Sequence, residues 1–134
     1  MRIISGNHKG KKILLPKDKL TRPLKDLTKE SIFNIIKHSK LLNVEIEKSN
    51  ILDLFSGIGS FGLECLSRGA ANVTFFENYK EVLIILKKNI DNLKQQNYSN
   101  IIEKDIFLKN TLEGLNRKFD IIFMDPPFKE KKIF

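Results

Sequence analysis

Residues 50–64 read Asn50-Ile51-Leu52-Asp53-Leu54-Phe55-Ser56-Gly57-Ile58-Gly59-Ser60-Phe61-Gly62-Leu63-Glu64. Ile51 to Phe55 is apolar at every position except Asp53, the pattern of a strand buried on both faces. The chain then turns through Gly57, Gly59 and Gly62 and resumes at helical spacing with Leu63 and Leu66. A strand that ends in glycines and restarts as a helix brings bare backbone amides to a ligand at the helix N-terminus. The G-x-G-x-x-G spacing is a weak signal on its own, so its neighbours have to decide what it holds. Asp53 within the apolar run has two compatible readings: it accepts hydrogen bonds from the glycine-loop amides, or it shapes a ligand pocket.

Downstream, the helix from Ser60 to Arg68 meets a stop at Gly69. Val73 to Phe76 reads as a second strand, and Glu77 closes it twenty positions after Gly57, where an acid would accept hydrogen bonds from ribose hydroxyls. Tyr79 to Gln96 carries Val82, Leu83, Leu86, Ile90 and Leu93 at helical spacing. Asn100 to Glu103 is a short third strand followed by Asp105. A weak helix or loop spans 107–116, and Phe119 to Met124 is a fourth strand running into Asp125. This alternation predicts an α/β, Rossmann-like parallel sheet with right-handed crossovers and helices on both faces. Ligands of such sheets sit at the carboxyl ends of the strands. Gly57 and Gly59, Glu77, Asp105 and Asp125 all fall there, which is the strongest sign of a site.

Upstream, Arg2 to Ser5 and Lys12 to Leu15 flank Gly6-Asn7-His8-Lys9-Gly10, a β-hairpin with a basic tip. His8 is expected at that tip, facing solvent or a polyanion. Arg22-Pro23 is an extended dipeptide before a helix over Asp26 to Lys37. There Ile32, Phe33, Ile35 and Ile36 form the apolar face, Asp26 caps, and Lys25, Lys29 and Lys37 stay in water. The chain of 134 residues carries a net charge of +8, and residues 1–30 hold nine Lys or Arg against three acids. That block suggests a polyanion partner such as RNA, although a Lys-, Ile- and Asn-rich composition also arises without a binding role. The expected organisation is an RNA-contacting extension, 1–40, and a cofactor-binding domain, 41–134. With Cys65 as the single cysteine, no internal disulfide is possible and a reducing cytoplasm is the default. No signal peptide, membrane span or metal-ligand spacing is read.

Asp125-Pro126-Pro127-Phe128 suits a planar base bearing an exocyclic amine. A carboxylate accepting one N–H and a backbone carbonyl accepting the other favour a tetrahedral nitrogen with its lone pair exposed. The prolines stiffen the turn and bring no competing N–H. Phe128 offers a stacking face, worth about 1–3 kcal/mol per base in single-strand binders. Such an amine could attack a methyl sulfonium, with positioning and electrostatics supplying most of the rate.

LDLFSGIG (52–59), FFEN (75–78) and FMDPPF (123–128) together resemble S-adenosylmethionine-dependent methyltransferases of exocyclic amines. RIISGNHKGKKILLP (2–16) followed by TRPLKDLTKESIFNII (21–36) narrows the resemblance to the RsmD type, which methylates a guanine N2 in bacterial small-subunit ribosomal RNA. The resemblance implies a class I methyltransferase fold with S-adenosyl-L-methionine as cofactor and small-subunit ribosomal RNA or its assembly intermediate as partner. A cytoplasmic monomer without metal is expected. Gly57 and Gly59 would lie against the cofactor's amino-acid part, Glu77 on its ribose, and Asp105 with the Ile106 amide on its adenine, with Asp53, Phe55 and Asn78 completing the pocket. Asp125, Pro126, Pro127 and Phe128 would handle the guanine. Lys9, Lys11, Lys12, Arg22, Lys25 and Lys29 would hold RNA phosphates. Leu27 and Lys29 stand where the family usually has arginines. The family's sheet continues past the point where this chain stops, so the C-terminal strands are expected to be absent and the fourth strand to form an exposed edge. Three other readings remain open: an adenine-N6 nucleic-acid methyltransferase, a truncated remnant that binds RNA or cofactor without turnover, and a nicotinamide oxidoreductase, which would leave Asp125 to Phe128 unexplained.

Overall fold

A computed structural model describes residues 1–17 and 24–127 of the chain. Its elements are α1 (Asp26–His38), β1 (Asn50–Asp53), α2 (Ser60–Ser67), β2 (Asn72–Phe76), α3 (Lys80–Asn92), β3 (Ser99–Ile102) and β4 (Ile121–Phe123). The strands form one sheet in the order β3-β2-β1-β4, and every pairing is parallel. The expected α/β sheet is therefore present, and its strand order reverses between β1 and β4. Among the described residues β4 is an edge strand, with Ile122 59% exposed.

Side chains alternate across this sheet with the two-residue period of a strand. Ile51, Val73 and Phe75 face the main core, together with Phe33 of α1, Leu63 and Cys65 of α2, and Val82, Leu86 and Ile90 of α3. Leu52, Leu54 and Phe76 face the other way, against Phe55, Ile106, Leu115 and Phe119. The described helices thus share one face. The second face is covered by the segment between β3 and β4, which is turns rather than helix, and this replaces the expectation of helices on both sides. Gly62 lets α2 lie flat on the sheet: a Cβ there would sit 2.3 Å from the Phe75 ring and 2.9 Å from Val73. Gly62→Ala should lower stability by about 1–3 kcal/mol by overpacking, read as a lower urea midpoint at unchanged slope.

The hairpin is shorter than its sequence suggests. Arg2 and Lys12 form an antiparallel bridge, Ile3 N–H donates to Lys11 at 2.9 Å, and Ile13 N–H donates to Met1 at 3.0 Å. Ile3 and Ile13 nevertheless enter the same core as the sheet. Gly6, at φ +86°, lies flush on the end of α2, where a Cβ would meet the Ser67 carbonyl at 2.0 Å.

Two helix ends differ from expectation. Lys25, not Asp26, occupies the cap of α1 and makes no side-chain cap bond; Asp26 is the first helical residue, where an acid favours the positive end of the helix dipole. Helix α3 stops at Asn92 rather than Gln96, because Lys94 turns left-handed (φ +54°) and Gln95 N–H donates back to Ile90. No glycine marks that stop.

Candidate active site

All four strands run the same way, so the residues after β1, β2, β3 and β4 meet on one edge. Gly57 (φ +54°) and Gly59 (φ +91°) fold the loop after β1. Ser56 ties it down, its N–H donating to Phe76 at 3.0 Å and its hydroxyl to the Asp53 carbonyl at 2.9 Å. Glu77 reaches across from β2. Its carboxylate accepts the Gly57 N–H at 2.9 Å and the Asn78 and Tyr79 N–H groups at 3.0 Å each. A carboxylate has about four lone-pair sites, so Glu77 both sets the loop and keeps an acceptor for a ligand hydroxyl.

Asp53 is 1% exposed, and neither carboxylate oxygen has a hydrogen-bond partner. The expected bonds to the glycine-loop amides are not made. Burial pushes its carboxyl up to about 7, with Asp125 and Glu77 adding repulsion; the amides of Gly62 and Phe55 oppose this without closing a bond of ordinary geometry. The folded value lies above the ordinary 3.8. Stability from this group is therefore full below the ordinary 3.8 and is lost progressively as pH rises from there through about 7. Across that window Asp53→Asn should remove a slope of about 1.4 kcal/mol per pH unit, measured as the pH dependence of the urea midpoint.

Beyond β3, the Asp105 carboxylate accepts the Phe107 N–H at 2.9 Å, and its carbonyl accepts the Thr111 hydroxyl at 3.0 Å. Ile106 and Phe55 each pack against the cluster of Leu52, Leu54 and Phe76 on the second face of the sheet. Asn78 is exposed beside Glu77. Asp125 follows β4, exposed, with Pro126 half-buried and Pro127 exposed. Phe128 lies outside the described residues. The strand leading to Asp125 is held by the Leu54 N–H donating to Phe123 at 3.1 Å. It is held too by a stack of Phe123 on Phe61, centroids 3.8 Å apart and planes 12° apart. Phe61 in turn stacks on Phe33 at 5.2 Å, and the Arg68 guanidinium covers Phe33 at 4.2 Å.

Lys9, Lys11, Lys12 and Lys25 are exposed on the hairpin and at the head of α1; Arg22 lies outside the described residues. Lys29 is a correction. It is 0% exposed and cannot reach phosphates from there. It points inward because it shares the i, i+4 face of Phe33, the face Ile35 was expected to occupy; Ile35 is exposed instead. The Lys29 ammonium lies 3.4 Å from Glu64 and donates to the Arg2 carbonyl at 3.0 Å. Burial lowers its pKa, against the opposing pull of Glu64. Glu64 also accepts the Ile4 and Ser5 N–H groups at 2.8 and 3.1 Å and the Arg68 side chain at 3.2 Å. His8 rests on α2 and Gln95 rather than standing free: its backbone N–H donates to the Ser67 hydroxyl at 2.9 Å, and the Gln95 amide nitrogen lies 2.9 Å from its ring Nε2.

Glu64 and Asn89 were not singled out from the sequence. Each is a polar residue on an otherwise apolar helix face, and that interruption was the available signal. Two hollows on the described surface are lined by none of the strand-end residues: one between hairpin and α1, the other between Leu14-Leu15-Pro16 and α3. Among the described residues no cluster of three or more His, Cys, Asp or Glu could hold a metal ion, and no helix is long and apolar enough to cross a membrane.

A family model described as conserved hypothetical protein 95 matches residues 1–134. The ribosomal RNA small subunit methyltransferase D of Buchnera aphidicola subsp. Baizongia pistaciae is 37% identical over 132 residues, covering 96% of this chain and 62% of that protein. A putative methyltransferase from Escherichia coli superposes with a TM-score of 0.73 at 32% identity, over 96% of this chain and 65% of that one. A putative methylase from Haemophilus influenzae gives a TM-score of 0.67 at 38% identity, over 95% of this chain and 64% of that one. The fold is that of the class I methyltransferases. This chain spans a little over three fifths of the length of these relatives.

Proposed function

This chain belongs to the conserved hypothetical protein 95 family, the RsmD-type methyltransferases, and from that membership we propose that it serves S-adenosylmethionine-dependent methylation of a guanine N2 in small-subunit ribosomal RNA. The observation that carries the reading is the convergence of the glycine loop, Glu77, Asp105 and Asp125 on one sheet edge, with partnerless Asp53 beneath them.

These residues fit the cofactor's chemistry. A buried carboxylate without a donor suits the ammonium of the cofactor's amino-acid part, and Gly57, at φ +54°, turns the loop for close backbone approach, while Gly59 makes room for Leu86 of α3. Glu77 keeps an acceptor for ribose hydroxyls, and Asp105 with the Ile106 amide would meet the adenine. When bound, the cofactor supplies an electrophilic methyl on a sulfonium. Asp125 accepts one N–H of the guanine amine and a carbonyl of the Pro126-Pro127 turn the other, which concentrates the nitrogen lone pair outward. Phe128 is the proposed stacking face. Exposed Lys9, Lys11, Lys12 and Lys25, with Arg22, take the RNA phosphates, and a base inside a stem would be turned out to reach Asp125. That substrate places the protein in the cytoplasm.

The test is label transfer from methyl-labelled S-adenosylmethionine to small-subunit ribosomal RNA, followed by nucleoside digestion. Label in N2-methylguanosine is expected. Label in N6-methyladenosine would move the chain to the adenine enzymes. Cofactor binding without any transfer, to naked RNA or to assembly intermediates, would favour a non-catalytic binding role.

A further inference from the structure

We infer that Asn89 couples the two ligand sites, so that filling the strand-end pocket strengthens the hairpin's hold on RNA. The inference rests on the reading above and adds a positioning residue to it. Asn89 lies on the inward face of α3 and is 1% exposed. Its Oδ1 accepts the Leu14 N–H at 2.8 Å, and its Nδ2 donates to the Leu14 carbonyl at 3.2 Å and to the Ile58 carbonyl at 3.0 Å. The first two bonds imitate a strand pairing and hold the arm of the hairpin that carries Lys11 and Lys12. The third holds the residue between Gly57 and Gly59.

One buried amide therefore sets both the cofactor loop and the hairpin. In a buried site each of these bonds is costly to leave unmade, so the three persist together. A second tie runs in parallel. Glu64 and Ser67 of α2, the helix that leaves the glycine loop, hold Ile4, Ser5 and His8 on the other arm. A ligand on the glycine loop favours the arrangement in which Ile58 meets Asn89, and the same amide then keeps Leu14 and the lysine arm in place. Such coupling is reciprocal for binding.

The experiment is fluorescence anisotropy of a labelled RNA stem-loop drawn from the small subunit, with and without saturating S-adenosylhomocysteine, on the 134-residue chain and on Asn89→Asp. Asn89→Asp keeps the acceptor and loses both donated bonds. The unmodified chain should bind RNA about fivefold or more tightly with the ligand present, and calorimetry should return the same factor for S-adenosylhomocysteine with RNA present. In Asn89→Asp the factor should fall to about half or less, the remainder carried by the α2 tie, while each ligand still binds alone; Lys87→Ala, on the exposed side of the same helix, should keep it. A lowered melting temperature with the factor intact would mean that Asn89 is merely structural and would overturn the inference. Equal RNA affinity with and without ligand in the unmodified chain would overturn it and leave the functional reading standing. Failure of the unmodified chain to bind either ligand would overturn both. Should Asn89→Asp not fold, hydrogen exchange in the unmodified chain decides: S-adenosylhomocysteine alone should slow exchange at the Leu14 amide, and an unchanged rate would overturn the inference.

Discussion

Glu64→Ala should lower folding stability by about 3–5 kcal/mol, the cost of removing one member of a buried ion pair. Glu64 and Lys29 are each 0% exposed. The change would strand the Lys29 ammonium in the core and leave the Ile4 and Ser5 N–H groups without their acceptor. Exposed pairs are worth little, typically about 0.2–1 kcal/mol, so a urea denaturation that finds a loss in that range would mean the pair is solvated. Replacing both partners by apolar residues of similar volume, Lys29→Met with Glu64→Leu, should recover much of the loss, because the uncompensated charge disappears. It should still leave the first arm of the hairpin looser, visible as faster hydrogen exchange at Ile4 and Ser5.

Asp125→Asn should slow methyl transfer by about 10²–10³-fold, the range for removing one charge-stabilising group from a reacting centre. S-adenosylhomocysteine affinity should change little. An asparagine oxygen can still accept one N–H of the target amine, but without the negative charge that shifts electron density onto the nitrogen. The residue lies after the strand bearing Phe123, close enough to Asp53 to raise its pKa. Loss of cofactor binding along with transfer would assign Asp125 to the cofactor instead. Unchanged turnover would remove it from the proposed chemistry.

How much of this was legible in the sequence depended on whether the deciding interaction was local. The parallel sheet was readable because short apolar stretches, each closed by a glycine or an acid, alternate with helical patterns; the pairing of β4 with β1 rather than β3 was not, since it depends on a crossover past two strands. Glu77 was found by its distance from Gly57, yet its three amide bonds were not, since they depend on how two strand ends face each other. Lys29 was misplaced because a lysine is ordinarily solvated, although its i, i+4 spacing from Phe33 was a local sign that it shares the buried face. Its burial comes from Glu64, thirty-five positions away. Likewise Asn89 bonds Leu14 across seventy-five positions. Asp53 was recognised as anomalous in its strand, and the structure sharpens the anomaly by leaving it without a partner.

The most direct measurement is calorimetric titration of the 134-residue chain with S-adenosylmethionine and S-adenosylhomocysteine, with NAD as comparator. Saturable binding of the two sulfur ligands, lost in Gly57→Leu and weakened in Glu77→Ala, is the predicted result. Preference for NAD, or no binding of either sulfur ligand by the folded chain, would contradict the assignment of this sheet edge as a methyl-donor site.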